Sequence, residues 1–293
     1  MEALRVDYRP ELRDPIAIVA FTGWNDAASA ASNAARFLAR RLGARRFAVL
    51  EAEQFYDFQS SRPTVRISPS GDRELQWPSN EFFYARNPRG ESDLIIGIGA
   101  EPSLRWRTFS GALEDLFEDL GVKMVVSLGA LLADVAHTRD VRVTGTAVDP
   151  AVGERLNLTV SKYEGPTGIV GVLHDSMRKK GVPAASLWAN VPHYVTTDQN
   201  PPATLALLRR LQSMLDLEFD FTDLEAAGVR FVAEVDAVVS SNPEISSYVR
   251  RLEEAYDSGV DPDEDPDESG YLPAPEDAVL DVEEFLRNLR DDD

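Results

Sequence analysis

Polar residues that could act on a ligand collect where apolar runs end. Trp24-Asn25-Asp26 follows Ile16–Phe21, Glu101 follows Asp93–Gly99, and Gly129 follows Val122–Leu128. His193 follows Ser186–Val191, and Glu164 opens the turn Glu164-Gly165-Pro166-Thr167-Gly168. A carboxylate or imidazole at such a place can serve as a general base or acid, or bind a substrate hydroxyl. Each also has a plainer use. Asn25 or Asp26 can cap the helix that follows, Glu101 can cap a helix or pair on the surface, and His193 can be a hydrogen-bonded structural histidine. If the apolar runs are parallel strands, their C-terminal ends share one edge of the sheet, and Trp24, Asn25, Asp26, Glu101, Gly129, Glu164 and His193 would line one crevice there.

Complete catalytic sets are missing. Gly97-Ile98-Gly99 does not extend to a dinucleotide fingerprint, because position 102 is Pro. There is no phosphate-binding P-loop, no H-E-x-x-H and no G-x-S-x-G elbow. The three histidines, His137, His174 and His193, are far apart in the chain, and there is no Cys. The sequence therefore predicts no metal site and no cofactor, and leans away from an enzyme.

The elements that would hold these residues are legible. Ile16–Phe21 is a continuous apolar run, as expected for a strand covered on both faces, and an Ala-rich helix is expected over 27–42. Further strands are expected over 46–51, 93–99, 122–128, 141–147 and 186–191, with helices over 105–120 and 169–180. In the first of these helices Phe109, Leu113, Leu116, Phe117 and Leu120 share one face. The alternation predicts a three-layer α/β/α sandwich around a mostly parallel sheet. Residues 52–92 break into short β-like pieces, suggesting a β-rich insertion or sheet extension within a core spanning 1–200. Helical patterns over 202–217, 222–240 and 243–256 predict a C-terminal helical subdomain, 201–256. Residues 257–275 read as an acidic disordered linker. In 276–293, Val282, Phe285, Leu286 and Leu289 share one stripe, so a short amphipathic helix is expected over 276–290.

Charge narrows the classes of function. The net charge is −20, and residues 257–293 hold 15 acidic and 2 basic residues. Nucleic-acid binding is not expected, since it depends on Lys and Arg meeting phosphates. Met1 to Pro15 is polar, no apolar run spans a bilayer, and the lack of Cys fits a reducing cytoplasm.

Phe21-Thr22-Gly23-Trp24-Asn25-Asp26-Ala27, Gly99-Ala100-Glu101-Pro102, Val191-Pro192-His193-Tyr194 and Pro202-Ala203-Thr204 occur in an order and spacing that resemble the PAC2 family. The family is named for proteasome assembly chaperone 2, and the resemblance, to its actinobacterial-type branch, runs over residues 14–255. It implies a phosphorylase/hydrolase-like α/β/α fold, a homo-oligomer such as a trimer, and a proteasome-related protein partner. Several relatives dock on the proteasome through a C-terminal hydrophobic-Tyr-any tail, whereas this sequence ends Leu289-Arg290-Asp291-Asp292-Asp293. Two readings stay open: an assembly-chaperone-like interaction protein, or an enzyme or small-molecule binder using the strand-end crevice.

Overall fold

The computed structural model describes residues 4–161, 163–259 and 280–281. In chain order the strands are β1 (Leu4–Val6), β2 (Ile16–Thr22), β3 (Arg45–Leu50), β4 (Thr64–Ile67), β5 (Arg73–Gln76), β6 (Asn80–Ala85) and β7 (Leu94–Ala100). They continue with β8 (Met124–Ala133), β9 (Val143–Ala147), β10 (Thr159–Val160), β11 (Ala184–Pro192), β12 (Val195–Thr196) and β13 (Leu280–Asp281). The helices are α1 (Ala30–Arg41), α2 (Trp106–Asp119), α3 (Pro150–Leu156), α4 (Ile169–Lys179), α5 (Pro201–Leu215), α6 (Thr222–Ser240) and α7 (Pro243–Asp257).

Among the described residues, nine strands form one sheet in the order β1-β3-β6-β7-β2-β8-β11-β9-β10. Its centre, β7-β2-β8-β11, is wholly parallel. On one flank β6, β3 and β1 pair antiparallel, and on the other β9 runs antiparallel to β11. The expected α/β/α sandwich is the observed architecture. Alternation along β2 shows how it is built. Ile18 and Ala20 face a core with Ala31, Ala34 and Leu38 of α1 and Leu207, Leu208 and Leu211 of α5. Ala17, Val19 and Phe21 face the opposite core, with Phe109, Leu113 and Phe117 of α2 and Leu173 and Met177 of α4. A strand buried on both faces needs apolar residues at every position, which is what its composition provides.

Several expectations need correcting. The helix expected over 27–42 begins with a 3-10 turn, Ala27–Ser29, in which Ala28 and Ser29 have φ of 47° and 50°. The α-helix starts only at Ala30, because Asp26 reaches past this turn to cap it. The 52–92 region, expected as a β-rich insertion or sheet extension, needs no correction: β6 joins the main sheet, while β4 and β5 form a separate exposed hairpin. The helices expected as a subdomain over 201–256 divide. The apolar face of α5 belongs to the sandwich, whereas α6 and α7 pack around Tyr194, Val195 and Ala136. Asp257, expected to begin the linker, ends α7. Leu280–Asp281, expected inside a helix over 276–290, instead pairs parallel with β12. These two residues precede the apolar stripe that starts at Val282, and their backbone groups meet those of Val195 and Thr196. The rest of the expected linker and end helix lies outside the described residues.

Candidate functional site

Strand β2 ends in a turn at Gly23, whose φ of +127° suits glycine. The turn is stitched to its neighbours by backbone bonds. The Ala130 N–H donates to Asn25 O at 2.9 Å, and the Glu101 N–H donates to Thr22 O at 2.9 Å. Asn25 and Asp26 are thereby buried, while Trp24 stays 68% exposed.

The carboxylates are engaged in holding helices. Asp26 Oδ1 accepts from Ala31 N at 2.8 Å and Ser32 N at 3.1 Å, capping α1. Its Oδ2 is buried and has no partner among the described residues. Burial pushes the Asp26 carboxyl above its ordinary range, against the lowering effect of those hydrogen bonds. Glu101 Oε1 accepts from Ile169 N at 2.8 Å, the first residue of α4, and from Asn25 Nδ2 at 3.2 Å. Gly168 permits this approach: a Cβ there would sit 2.7 Å from Asn25 Nδ2 and 2.8 Å from Glu101 Oε1.

Beside this cluster lies a cleft of about 760 Å³ between α4, the loop 163–168 and the C-terminal parts of β8, β9 and β11. Trp24 and Asn25 line it, as do Gly165 to Gly168. Gly129 is beneath its floor, where a side chain would collide with the Trp188 ring. Glu164 is exposed on the rim loop and does not line the cleft. His193 lies elsewhere, in a second groove of about 570 Å³ with Val195 and Thr197. Trp24, Leu131 and Leu132 form the ridge shared by both. The strand-end residues are thus brought near one sheet edge but divided between two depressions.

The cleft also contains residues that the strand-end argument passes over. Ser186, Trp188 and Asn190 alternate along β11 and all face it. A Ser/Trp/Asn series at every second position of an apolar strand was the available signal. His174, on α4, borders the cleft, with its Nε2 2.8 Å from Ser127 Oγ. Burial drives its pKa down to about 4, so the ring is neutral at pH 7. Ser127 is fully buried and cannot meet a substrate; the pair bridges α4 to β8.

The other histidines tie the sheet edge to α6 and α7. The Tyr194 hydroxyl accepts from His137 N at 2.9 Å and lies 2.6 Å from His137 Nδ1. His137 Nε2 is 3.0 Å from Asp236 Oδ1 on α6. With the Tyr194 hydroxyl donating to Nδ1, Nε2–H donates to the carboxylate. His193 Nδ1 is 3.0 Å from Asp134 Oδ1, which accepts from Tyr248 OH at 3.0 Å. His193 therefore takes part in a structural junction.

Known proteins share this fold. The PAC2 family model matches residues 20–239. A Streptomyces avermitilis PAC2 family protein is 44% identical, with a TM-score of 0.75, covering 80% of this chain and 100% of its own. A Mycobacterium tuberculosis proteasome-assembly chaperone homologue is 41% identical, with a TM-score of 0.72, covering 80% of this chain and 99% of its own. The fold alone extends to a Pyrococcus furiosus archaeal proteasome activator, PbaB, at 22% identity and a TM-score of 0.66, covering 81% of this chain and 99% of its own. No curated protein matches the sequence. Among the described residues no helix is long and apolar enough to cross a membrane. The extent of the family match and the identity to its actinobacterial members establish that the chain belongs to the PAC2 family.

Proposed function

We propose that this chain works by protein–protein contact, as an assembly-chaperone-like PAC2 protein that forms a homo-oligomer and engages a proteasome-related partner in the cytoplasm. The observation that carries the reading is the 41% identity to the Mycobacterium tuberculosis proteasome-assembly chaperone homologue. The site geometry supports it, since Glu101 and Asp26 are committed to helix N-termini. The test is capture from a native lysate with the full-length chain and with residues 257–293 deleted, read by mass spectrometry. Proteasome subunits recovered with the full-length chain support the proposal, and their absence overturns it. Loss of those subunits on deletion would locate the contact in the tail.

A second reading rests on the cleft. Asn190 is only 5% exposed, and it lines the 760 Å³ space together with Trp188. A few polar groups on an aromatic wall suit a small polar ligand. A metabolite screen by thermal shift tests this: a stabilising compound that no longer acts on Trp188→Ala supports it.

A further inference from the structure

We propose that the groove beside Trp24, Leu131 and Leu132 is a docking surface for this chain's own C-terminal segment, residues 282–289. Three observations converge on it, and none depends on the partner reading above.

The first is the surface. Trp24, Leu131 and Leu132 are 68%, 40% and 62% exposed on one ridge, and the groove beside them has about 570 Å³ of space. Among the described residues its lining, from Gly23 and Ala27 to Val195 and Thr197, contains His193 but no Lys, Arg, Asp or Glu. Clustered large apolar side chains of this kind mark a surface that something covers.

The second is where the chain arrives. Leu280 pairs with Val195 and Asp281 with Thr196, in parallel. Val195, Thr196 and Thr197 all line the groove. A chain that continues parallel to β12 past Asp281 is delivered along the groove wall. Its tether does not restrict it. Twenty residues separate Gly259 from Leu280, enough to reach roughly 65–70 Å when extended.

The third is what arrives. Val282, Phe285, Leu286 and Leu289 follow the i, i+3, i+4, i+7 spacing of one helical face, with Glu283, Glu284 and Arg287 off that face. An apolar stripe meets a groove without Lys, Arg, Asp or Glu in its described lining, and the acidic residues are left toward water. Intramolecular delivery raises the local concentration to the millimolar range, so weak contacts suffice. A partner reading the Trp24 ridge must first displace this segment.

The chain has no Cys, which allows a direct test in the full-length protein. Leu132→Cys is combined with Leu286→Cys, and oxidation is followed by non-reducing gel and intact mass. Val229→Cys with Leu286→Cys serves as the control, since Val229 is 72% exposed on α6, outside the groove. The expected result is an intramolecular disulfide in the first pair, forming about tenfold faster than in the control. Equal rates overturn the proposal, and disulfide dimers overturn it in favour of a second copy as occupant. A variant that leaves the groove untouched, Phe285→Asp with Leu286→Asp, is read by hydroxyl-radical footprinting. A several-fold rise in Trp24 oxidation supports the proposal, and unchanged oxidation refutes it.

Discussion

Glu101 Oε1 accepts the Ile169 N–H at 2.8 Å, so the residue after β7 closes the N-terminus of α4 across 68 positions of sequence. One acceptor thus joins strand end, helix start and, through Asn25, the β2 turn.

Glu101→Ala should therefore cost stability as the loss of a helix cap does, about 0.5–2 kcal/mol. Glu101→Gln keeps an acceptor and should lose less. Urea unfolding of the two variants checks the order. Equal stability of Glu101→Ala and the parent would leave the carboxylate free for another role.

Asp26 sets a second expectation. Burial raises its carboxyl above the ordinary 3.8, so between those two values the folded state binds more protons than the unfolded one. The cost of ionising Asp26 is absent below 3.8 and grows as pH rises through the raised folded value. Asp26→Asn retains an Oδ1 acceptor for Ala31 and Ser32 without the charge. Its stability relative to the parent should improve from pH 4 to pH 7, whereas Asp26→Ala should lose about 1 kcal/mol by losing the cap. Urea midpoints across that pH range decide it.

His174 works in the opposite direction. Burial lowers its pKa from 6.5 to about 4, so the folded state binds fewer protons than the unfolded one between these values. Its contribution is complete above 6.5 and is lost as pH falls toward 4, to a total on the order of 3 kcal/mol. His137, also lowered mainly by burial, adds to the same slope. His174→Asn should flatten the fall in stability between pH 7 and pH 5. An unchanged slope would show that His174 does not supply it.

The sequence made the sandwich legible because its signals are local. Ile16–Phe21 and Leu94–Ile96 announce buried strands by unbroken apolar runs, and α2 announces itself by its stripe. Shorter elements were hidden. α3 has only seven residues, although Asp149 caps it and Pro150 opens it. β12 has two residues and owes its existence to Leu280–Asp281, far along the chain. The site was legible in position, and its plainer uses were legible as alternatives, but its partners were not. Strand-end logic correctly placed Asp26 and Glu101 past their strands. Capping was among the uses it offered for both, and Asp26 caps the helix that follows; that Glu101 would meet Ile169, 68 positions on, is set by packing. His193 was grouped with them by the same logic, yet beyond Pro192 it points to Asp134 and Tyr248.

The β4–β5 hairpin yields the last expectation. Val65 faces Leu75 in register, and Val65, Ile67 and Leu75 are 47%, 64% and 58% exposed. An isolated two-stranded hairpin is marginal in water, so a contact that covers this face would steady it. Replacing all three with Thr keeps strand propensity and should shift stability by only about 0.5 kcal/mol. Under the oligomer proposal, mass by light scattering should fall. A variant that retains the parent's mass would exclude the hairpin as the subunit contact.

The strand order also bears on how the polypeptide is made. β2 occupies the middle of the sheet, yet Ile16 pairs with Leu94 on one side and Met124 on the other. During synthesis its apolar run leaves the ribosome early and has no strand neighbours until β7 and β8 have followed. Contacts of such sequence separation slow folding and leave strand edges open to other chains. Fragments ending before β8 should therefore aggregate during translation, and the nascent N-terminal third should itself be a client of the cell's folding machinery.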